Sequence, residues 1–148
     1  MLDWLFGSPP PLAVGTLAPQ FSVPDHDGSR VTLASFRGRN VILVFYPADN
    51  TSVCTAQLCE FRDNWAAVTE RNAAVFGVNP MRRHREFRDR HRFPFPLLHD
   101  EGLRVARLYQ ASGRWLPRRT VYLIGPDGVI RYAQRGKPSP LEVLAACA

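Results

Sequence analysis

Three of the 148 residues are cysteines, Cys54, Cys59 and Cys147, and thiols are the side chains of this chain best suited to nucleophilic chemistry. An odd, low count without an export signal argues against a disulfide scaffold and for reduced, reactive thiols. Cys54 has the most telling surroundings. A continuous apolar run over residues 41–46 ends at Pro47, a polar loop covers 48–53, and Cys54 opens a segment in which Leu58, Phe61, Trp65 and Val68 recur every three or four residues. A thiol at the start of such a helix meets the positive end of the helix dipole and unpaired amides, which favour the thiolate, its reactive form. Tyr46, Pro47 and Val53 would shield it in part. A Cys-x4-Cys pair with no companion ligands does not make a zinc site.

Thr51 lies three residues before Cys54, where its hydroxyl is placed to donate to or accept from a small polar ligand over the sulfur; the plainer reading is a hydroxyl bonded within its own loop. If that ligand is a peroxide, attack by the thiolate builds negative charge on the departing oxygen, and preorganised donors and a guanidinium would stabilise it. Arg119, at the start of the apolar run 121–124, is the best-placed arginine, with Arg118 next to it. The resulting sulfenic acid condenses readily with a second thiol. Cys59 is five residues on, which in a regular helix means about 7.5 Å of rise and about 140° of rotation. A disulfide needs Cα atoms roughly 4.4–6.8 Å apart with converging Cβ vectors. Bonding Cys54 to Cys59 therefore requires the helix to unwind. Cys59 also lies beside the apolar stripe, where a buried structural thiol is the alternative, and Cys147 near the end of the chain is a tail thiol or a second candidate to resolve Cys54.

The elements that would position these residues follow from period. Short extended pieces at 21–23 and 31–33 flank a turn at 25–29. The run 41–46 reads as a strand buried on both faces, 54–71 as a helix, and 73–78 as a second buried strand. Asn79 and Pro80 look like an N-cap and first helical residue, opening a helix to about 92 that the prolines of 93–96 stop. A short helix at 103–109, a hairpin of 121–124 and 129–132, and a closing helix at 140–146 complete the pattern. Parallel strands followed by antiparallel ones give an α/β, thioredoxin-like fold: a central mixed β-sheet flanked by helices. Residues 1–12 read as a mobile Pro-rich arm and 13–148 as a single domain.

Composition sets bounds. The chain is 45% hydrophobic and 22% charged, as a soluble globular protein is. No apolar run nears the ~20 residues that span a bilayer, and the N-terminus lacks the basic start and long apolar stretch of a signal peptide, so a cytoplasmic location is expected. The net charge is +6, and all but one of the 19 basic residues are arginine. The cluster Arg82, Arg83, Arg85, Arg88, Arg90 and Arg92, interleaved with Glu86 and Asp89, reads as a solvated helix surface; no specific nucleic-acid motif accompanies it. His26, His84, His91 and His99 are scattered over turns and this basic helix, in surface or capping positions.

The stretch Phe45-Tyr-Pro-Ala-Asp-Asn-Thr-Ser-Val-Cys-Thr-Ala-Gln-Leu-Cys-Glu-Phe-Arg62 resembles the active-site signature of peroxiredoxins, and a second cysteine five residues after the first is similar to their Q-type, bacterioferritin-comigratory branch. The likeness runs from Gly15 to Phe21 through 93–98 to Arg119-Thr-Val-Tyr-Leu-Ile124 and Asp127-Gly128. The resemblance implies that Cys54 attacks hydrogen peroxide and organic hydroperoxides, that Pro47, Thr51 and Arg119 complete its pocket, and that Cys59 resolves it as an intramolecular disulfide. It implies a thioredoxin-like dithiol reductant, no metal, haem or flavin, no membrane, and a monomer or weak homodimer. Some positions depart from the pattern. Gln57 stands where the branch often has Glu, so a bond to the arginine is expected to be weaker or absent. Val121 and Gly125 are further departures, and 78–84 looks shortened. The alternatives are a thiol–disulfide oxidoreductase on the same fold, disfavoured because the cysteines are not in Cys-x-x-Cys spacing, and a basic binding or holdase protein.

Overall fold

The computed structural model describes residues 9–82 and 84–147. Its centre is a five-stranded mixed sheet in the order β5-β4-β3-β6-β7, built from β3 (Asn40–Phe45), β4 (Ala73–Asn79), β5 (Leu97–His99), β6 (Thr120–Ile124) and β7 (Ile130–Arg135). β3 and β4 are buried at every residue, as near-continuous apolar runs in the middle of a sheet must be. Their side chains alternate between two cores. Val41, Leu43 and Phe45 face one, with Phe76, Tyr109 and Tyr122; Ile42, Val44 and Tyr46 face the other, with Cys54, Leu58, Phe61 and Phe87. A separate two-stranded hairpin, β1 (Ser22–Pro24) and β2 (Arg30–Thr32), turns on Asp25, whose carboxylate accepts the Asp27 and Ser29 amides. This is the thioredoxin-like arrangement expected, with helices α1 (Ser52–Asp63), α2 (Trp65–Glu70), α3 (His84–His91), α4 (Arg104–Leu108) and α5 (Pro140–Leu144) flanking the sheet.

Strand pairing fixes what meets what. β3 runs antiparallel to β6 with Phe45 opposite Thr120, so the chain leaving β3 toward Cys54 lies beside Arg119, which precedes β6. β3 runs parallel to β4 with Phe45 opposite Val78, which sets Asn79 beside the same departing loop.

Several sequence expectations need correction. The helix expected over 54–71 starts at Ser52 and breaks into α1 and α2 at Asn64, whose backbone leaves the helical region (φ −108°, ψ 26°) while its side chain donates to the Glu60 carbonyl, a local bond that competes with the helix. Asn79 caps no helix. It ends β4 fully buried, its side-chain carbonyl accepting the Met81 amide in a local turn, and α3 begins only at His84. β5 escaped notice because it is three residues long and directly follows the prolines. β7 is longer than the pattern suggested. Of the expected arm, residues 1–8 lie outside the described residues; Leu12 donates its amide to the Tyr122 hydroxyl (2.9 Å), and Arg135 donates to the Pro9 carbonyl. Arg83 is likewise outside them. The expectation of a solvated surface holds for the arginines around it: Arg82, Arg85, Arg90 and Arg92 are exposed, Arg85 pairing with Asp27 at 3.0 Å and Arg82 with Glu101 at 3.3 Å, while half-buried Arg88 bonds the Phe95 carbonyl. Among the described residues, no helix is long and apolar enough to cross a membrane.

Gly77 of β4 is small because a side chain has no room there: a Cβ would lie 2.7 Å from Leu97 Cδ2 and 3.0 Å from Tyr46 Cε1. Gly77→Ala is expected to cost about 1–3 kcal/mol by overpacking, read as a lower urea midpoint at unchanged slope.

Candidate active site around Cys54

Thr51 is the N-cap residue of α1, in extended backbone conformation, and Cys54 is the third residue of the helix. The first turn faces inward at Cys54, which is 1% exposed and packs in the same core as Tyr46 and Leu58. Arg119 comes from across the sheet, and its Nη2 donates to Cys54 Sγ at 3.1 Å. The same guanidinium donates through Nη1 to Gln57 Oε1 at 2.7 Å, one helical turn after Cys54. The fork is thus held in two places and aimed at the sulfur. The expectation that Gln57 weakens or loses this bond is wrong: the amide oxygen accepts as a carboxylate would, without placing a negative charge beside the sulfur.

The backbone behind Arg119 is equally fixed. Its carbonyl accepts the Gly136 amide at 2.8 Å. The adjacent Thr120 hydroxyl donates to the Arg118 carbonyl (2.8 Å) and accepts from Arg135 Nη1 (2.7 Å). Arg118 itself is exposed, and its amide bonds the Ala111 carbonyl. The guanidinium against the sulfur is that of Arg119.

Thr51 is exposed, and its hydroxyl donates to the Ala48 carbonyl at 3.3 Å, a long local bond. A bond this long leaves the hydroxyl free to turn, to donate to or accept from a ligand. Pro47 is half-buried at the start of the loop. Cys59 is not brought to Cys54: both lie within unbroken α1, both are free, and Cys59 is half-buried on another side of the helix. Burial pushes the Cys59 thiol above its ordinary range, with Arg62 opposing. Cys147 is half-buried too, its thiol raised by burial, with Arg71 opposing. Trp115 is 78% exposed, with Arg114 over its ring at 5.6 Å, so it packs into no core. Among the described residues no group of three or more His, Cys, Asp or Glu is arranged to hold a metal ion.

Sequence reasoning missed the residues behind the loop. His84, expected in a surface or capping position, is fully buried, its Nδ1 2.8 Å from the Asp49 carboxylate, which also accepts from Tyr46 and Asn79. Beside Asp49, burial first and then its carboxylate push the Tyr46 phenol well above its ordinary value. A signal was available: His84, Phe87 and His91 share one helical face at spacings of three and four. The density of arginine around them disguised that face as solvated.

Replacing Gln57 with Leu keeps the volume and removes the acceptor that steadies Arg119. Iodoacetamide alkylation of Cys54 is then expected to slow roughly tenfold, as loss of a charge-assisted bond implies, whereas Gln57→Glu retains the bond. An unchanged rate in the Leu variant would show that Arg119 needs no such support.

The comparisons with known proteins bear on this geometry. The AhpC/TSA family description matches residues 14–133. Peroxiredoxin Q, chloroplastic, of Oryza sativa subsp. japonica is 37% identical over 131 residues, covering 85% of this chain and 60% of its own length. The chain thus spans about three-fifths of the plant relatives it matches. A Mycobacterium tuberculosis protein that carries the name peroxiredoxin is 41% identical over 122 residues, covering 81% of this chain and 75% of its own. The crystal structure of peroxidoxin BcpB from the same organism superposes with a TM-score of 0.84 at 28% identity, covering 91% of this chain and 96% of that one. With the family match over most of its length and relatives of this closeness, the chain belongs to the AhpC/TSA family, on its peroxiredoxin Q, or bacterioferritin-comigratory, branch.

Proposed function

We propose that this chain is a thiol-dependent peroxidase that reduces hydrogen peroxide and organic hydroperoxides through Cys54. The observation that carries the reading is the Arg119 guanidinium donating at 3.1 Å to a sulfur 1% exposed in the first turn of a helix. The thiolate attacks the terminal oxygen of the hydroperoxide. An S–O bond forms, the O–O bond breaks, and the alkoxide or hydroxide takes a proton and leaves as alcohol or water. Arg119 and the first amides of α1 offset the charge that develops on the departing oxygen, Thr51 accepts from the peroxide hydroxyl, and Pro47 bounds the site. Residues 13–148 act as the catalytic domain.

Cys59 then attacks the Cys54 sulfenic sulfur, an S–S bond forms and water leaves. Two helical residues five apart have Cα atoms about 8.6 Å apart by helix geometry, beyond disulfide range, so α1 unwinds first. Unwinding also exposes Cys59 and returns its thiol to the ordinary range, so the motion that brings the thiols together activates the second one. A dithiol reductant of the thioredoxin kind would return both to the reduced form in a reducing cytoplasm, with the enzyme acting as a monomer or weak homodimer. Cys-x-x-Cys exchange, the rival reading, has no suitable pair here.

Peroxide treatment followed by non-reducing trypsin digestion tests the pairing, since cleavage after Arg39 and Arg62 leaves Cys54 and Cys59 in one peptide. That peptide is expected to lose two hydrogens. A cross-link to the Cys147 peptide would overturn the role of Cys59, and an untouched Cys54 the peroxidase.

The pH dependence has a definite sign. A thiol raised in the wound helix favours that helix at pH values below its unwound pKa, and this contribution is lost as pH climbs through the wound value. Disulfide formation is therefore expected to accelerate as pH rises through about 8.5, the ordinary thiol range, in stopped-flow traces of the resolving phase.

A further inference from the structure

Behind the Cys54 loop lies a buried polar cluster that the chemistry above does not use. Asp49 is 5% exposed, and Asn79 and His84 are fully buried. Asp49 Oδ1 accepts from the Tyr46 hydroxyl (2.6 Å) and from Asn79 Nδ2 (3.1 Å), and His84 Nδ1 lies 2.8 Å from Oδ2. The Asp49 amide donates to Met81 Sδ at 3.1 Å. One residue on, Asn50 takes a left-handed conformation (φ 63°), and its side-chain oxygen accepts from Arg90 Nη1 at 2.9 Å. Tyr46 apart, these partners all come from one piece of chain, the end of β4 through α3. They grip two consecutive loop residues, the nearer of them four positions before the nucleophile.

His84 is the informative member. Its Nε2 is buried with no hydrogen-bond partner, so the ring is held through Nδ1 alone. A buried polar atom left unpaired costs stability. A side chain optimised only for the core would not carry it.

We propose that His84 and Asp49 are positioning residues that keep the 47–51 loop ordered whether α1 is wound or not, and so set the balance between the wound, peroxide-reactive Cys54 and the unwound, disulfide-forming one. The proposal rests on the reading of Cys59 as the resolving thiol. Its physical basis is the seat of the helix. The Thr51 carbonyl accepts both the Thr55 amide (2.9 Å) and the Thr55 hydroxyl (2.7 Å), so the first turn rewinds onto Thr51. If the loop before Thr51 were free, each rewinding would have to order it again, at an entropy cost borne only by the wound state. Held by Asp49, the loop is already in place, and unwinding is confined to the residues after it. Loss of the grip therefore penalises the wound state selectively.

His84→Phe keeps a ring and removes the donor; His84→Asn keeps a donor near the Nδ1 position. Met81→Leu, at a position 36% exposed, removes one further contact of the loop, the acceptor of the Asp49 amide, without threatening the fold. Each reduced protein is mixed with hydrogen peroxide, quenched, and weighed intact, so that disulfide (two hydrogens lost) and sulfinic acid (two oxygens gained) are counted together. In His84→Phe the rate of Cys54 oxidation is expected to fall roughly tenfold, the scale of one buried hydrogen bond, and the sulfinic share at a fixed peroxide excess to fall with it. His84→Asn restores both toward the parent, and Met81→Leu moves both the same way by less. A sulfinic share unchanged in His84→Phe, or a loss that Asn does not reverse, overturns the proposal; should His84→Phe not fold, Met81→Leu decides by the same measure. Hydrogen exchange at the amides of residues 52–58 separates the two ideas. If the parent protein forms no Cys54–Cys59 disulfide, the resolving role fails, yet faster exchange in the variants still supports the grip and equal exchange refutes it.

Discussion

One contact organises the molecule: a guanidinium donating to a buried sulfur. Arg119 Nη2 lies 3.1 Å from Cys54 Sγ, and the two residues are 65 positions apart in sequence. An arginine with its head turned inward gives up hydration and requires compensating partners. Here they are the sulfur on one nitrogen and Gln57 on the other. The antiparallel register of β3 and β6 brings the arginine to the loop, and the Gly136 amide and Thr120 hydroxyl fix the backbone on either side of it. Shifting that register by one residue would turn alternate side chains to the opposite face. The core of β3 and β6 thereby serves the site by holding one distance.

The same contact creates a conflict. Cys54 is aimed by being buried in a wound helix, and it reaches Cys59 only if that helix opens. Unwinding the early part of α1 frees Cys54, Gln57 and Leu58 from the core, and burying one Leu contributes about 1.5–3 kcal/mol. Against this, the outward side of the segment is polar, and Ser52, Thr51 and Val53 are already exposed. The break at Asn64, where the backbone leaves the helical region (φ −108°, ψ 26°), sets a natural end to any such opening before α2. If α1 opens as proposed, the opening unit is short, with the hydrogen-bonded 47–51 loop before it and a helix break after it, as a low-stability local unit must be if the rest of the core is to stay closed.

Much of this was legible in the sequence because it rests on period and local chemistry. The run 41–46 announces a central strand, the stripe from Leu58 to Val68 announces a helix, and together they put Cys54 at a helix start. Other parts were not legible because they depend on distance in space. Nothing local marks Asn79 as a partner of Asp49, and next to Pro80 it imitates a helix cap. His84 sits among arginines, and average polarity hides a buried face in which only two of eight residues, His84 and Phe87, are interior. The choice between Arg118 and Arg119 is a matter of strand alternation at β6, which takes one residue of error to reverse. Cys59 falls between the two kinds: its spacing predicts separation from Cys54, and the intact helix has it.

Gln57 shows how such a site tolerates change at its edge. A carboxylate there would pair with Arg119 and share its charge with the guanidinium, drawing part of its field away from the sulfur; an amide accepts the same hydrogen bond through a dipole and leaves the full charge facing Cys54. The amide has a second group to place, and Gln57 Nε2 points to the Gly136 carbonyl at 3.5 Å, at the edge of hydrogen-bond range. Since the Gly136 amide in turn bonds the Arg119 carbonyl, the glutamine touches both the head of the arginine and the segment that anchors its backbone. A neutral residue at 57 holds the arginine by geometry and leaves electrostatics to the sulfur, and it does so from the part of α1 that the proposed disulfide would require to open. If the helix unwinds as proposed, the arginine loses its second anchor when the oxidised sulfur leaves, so aiming and release would share a single structural element.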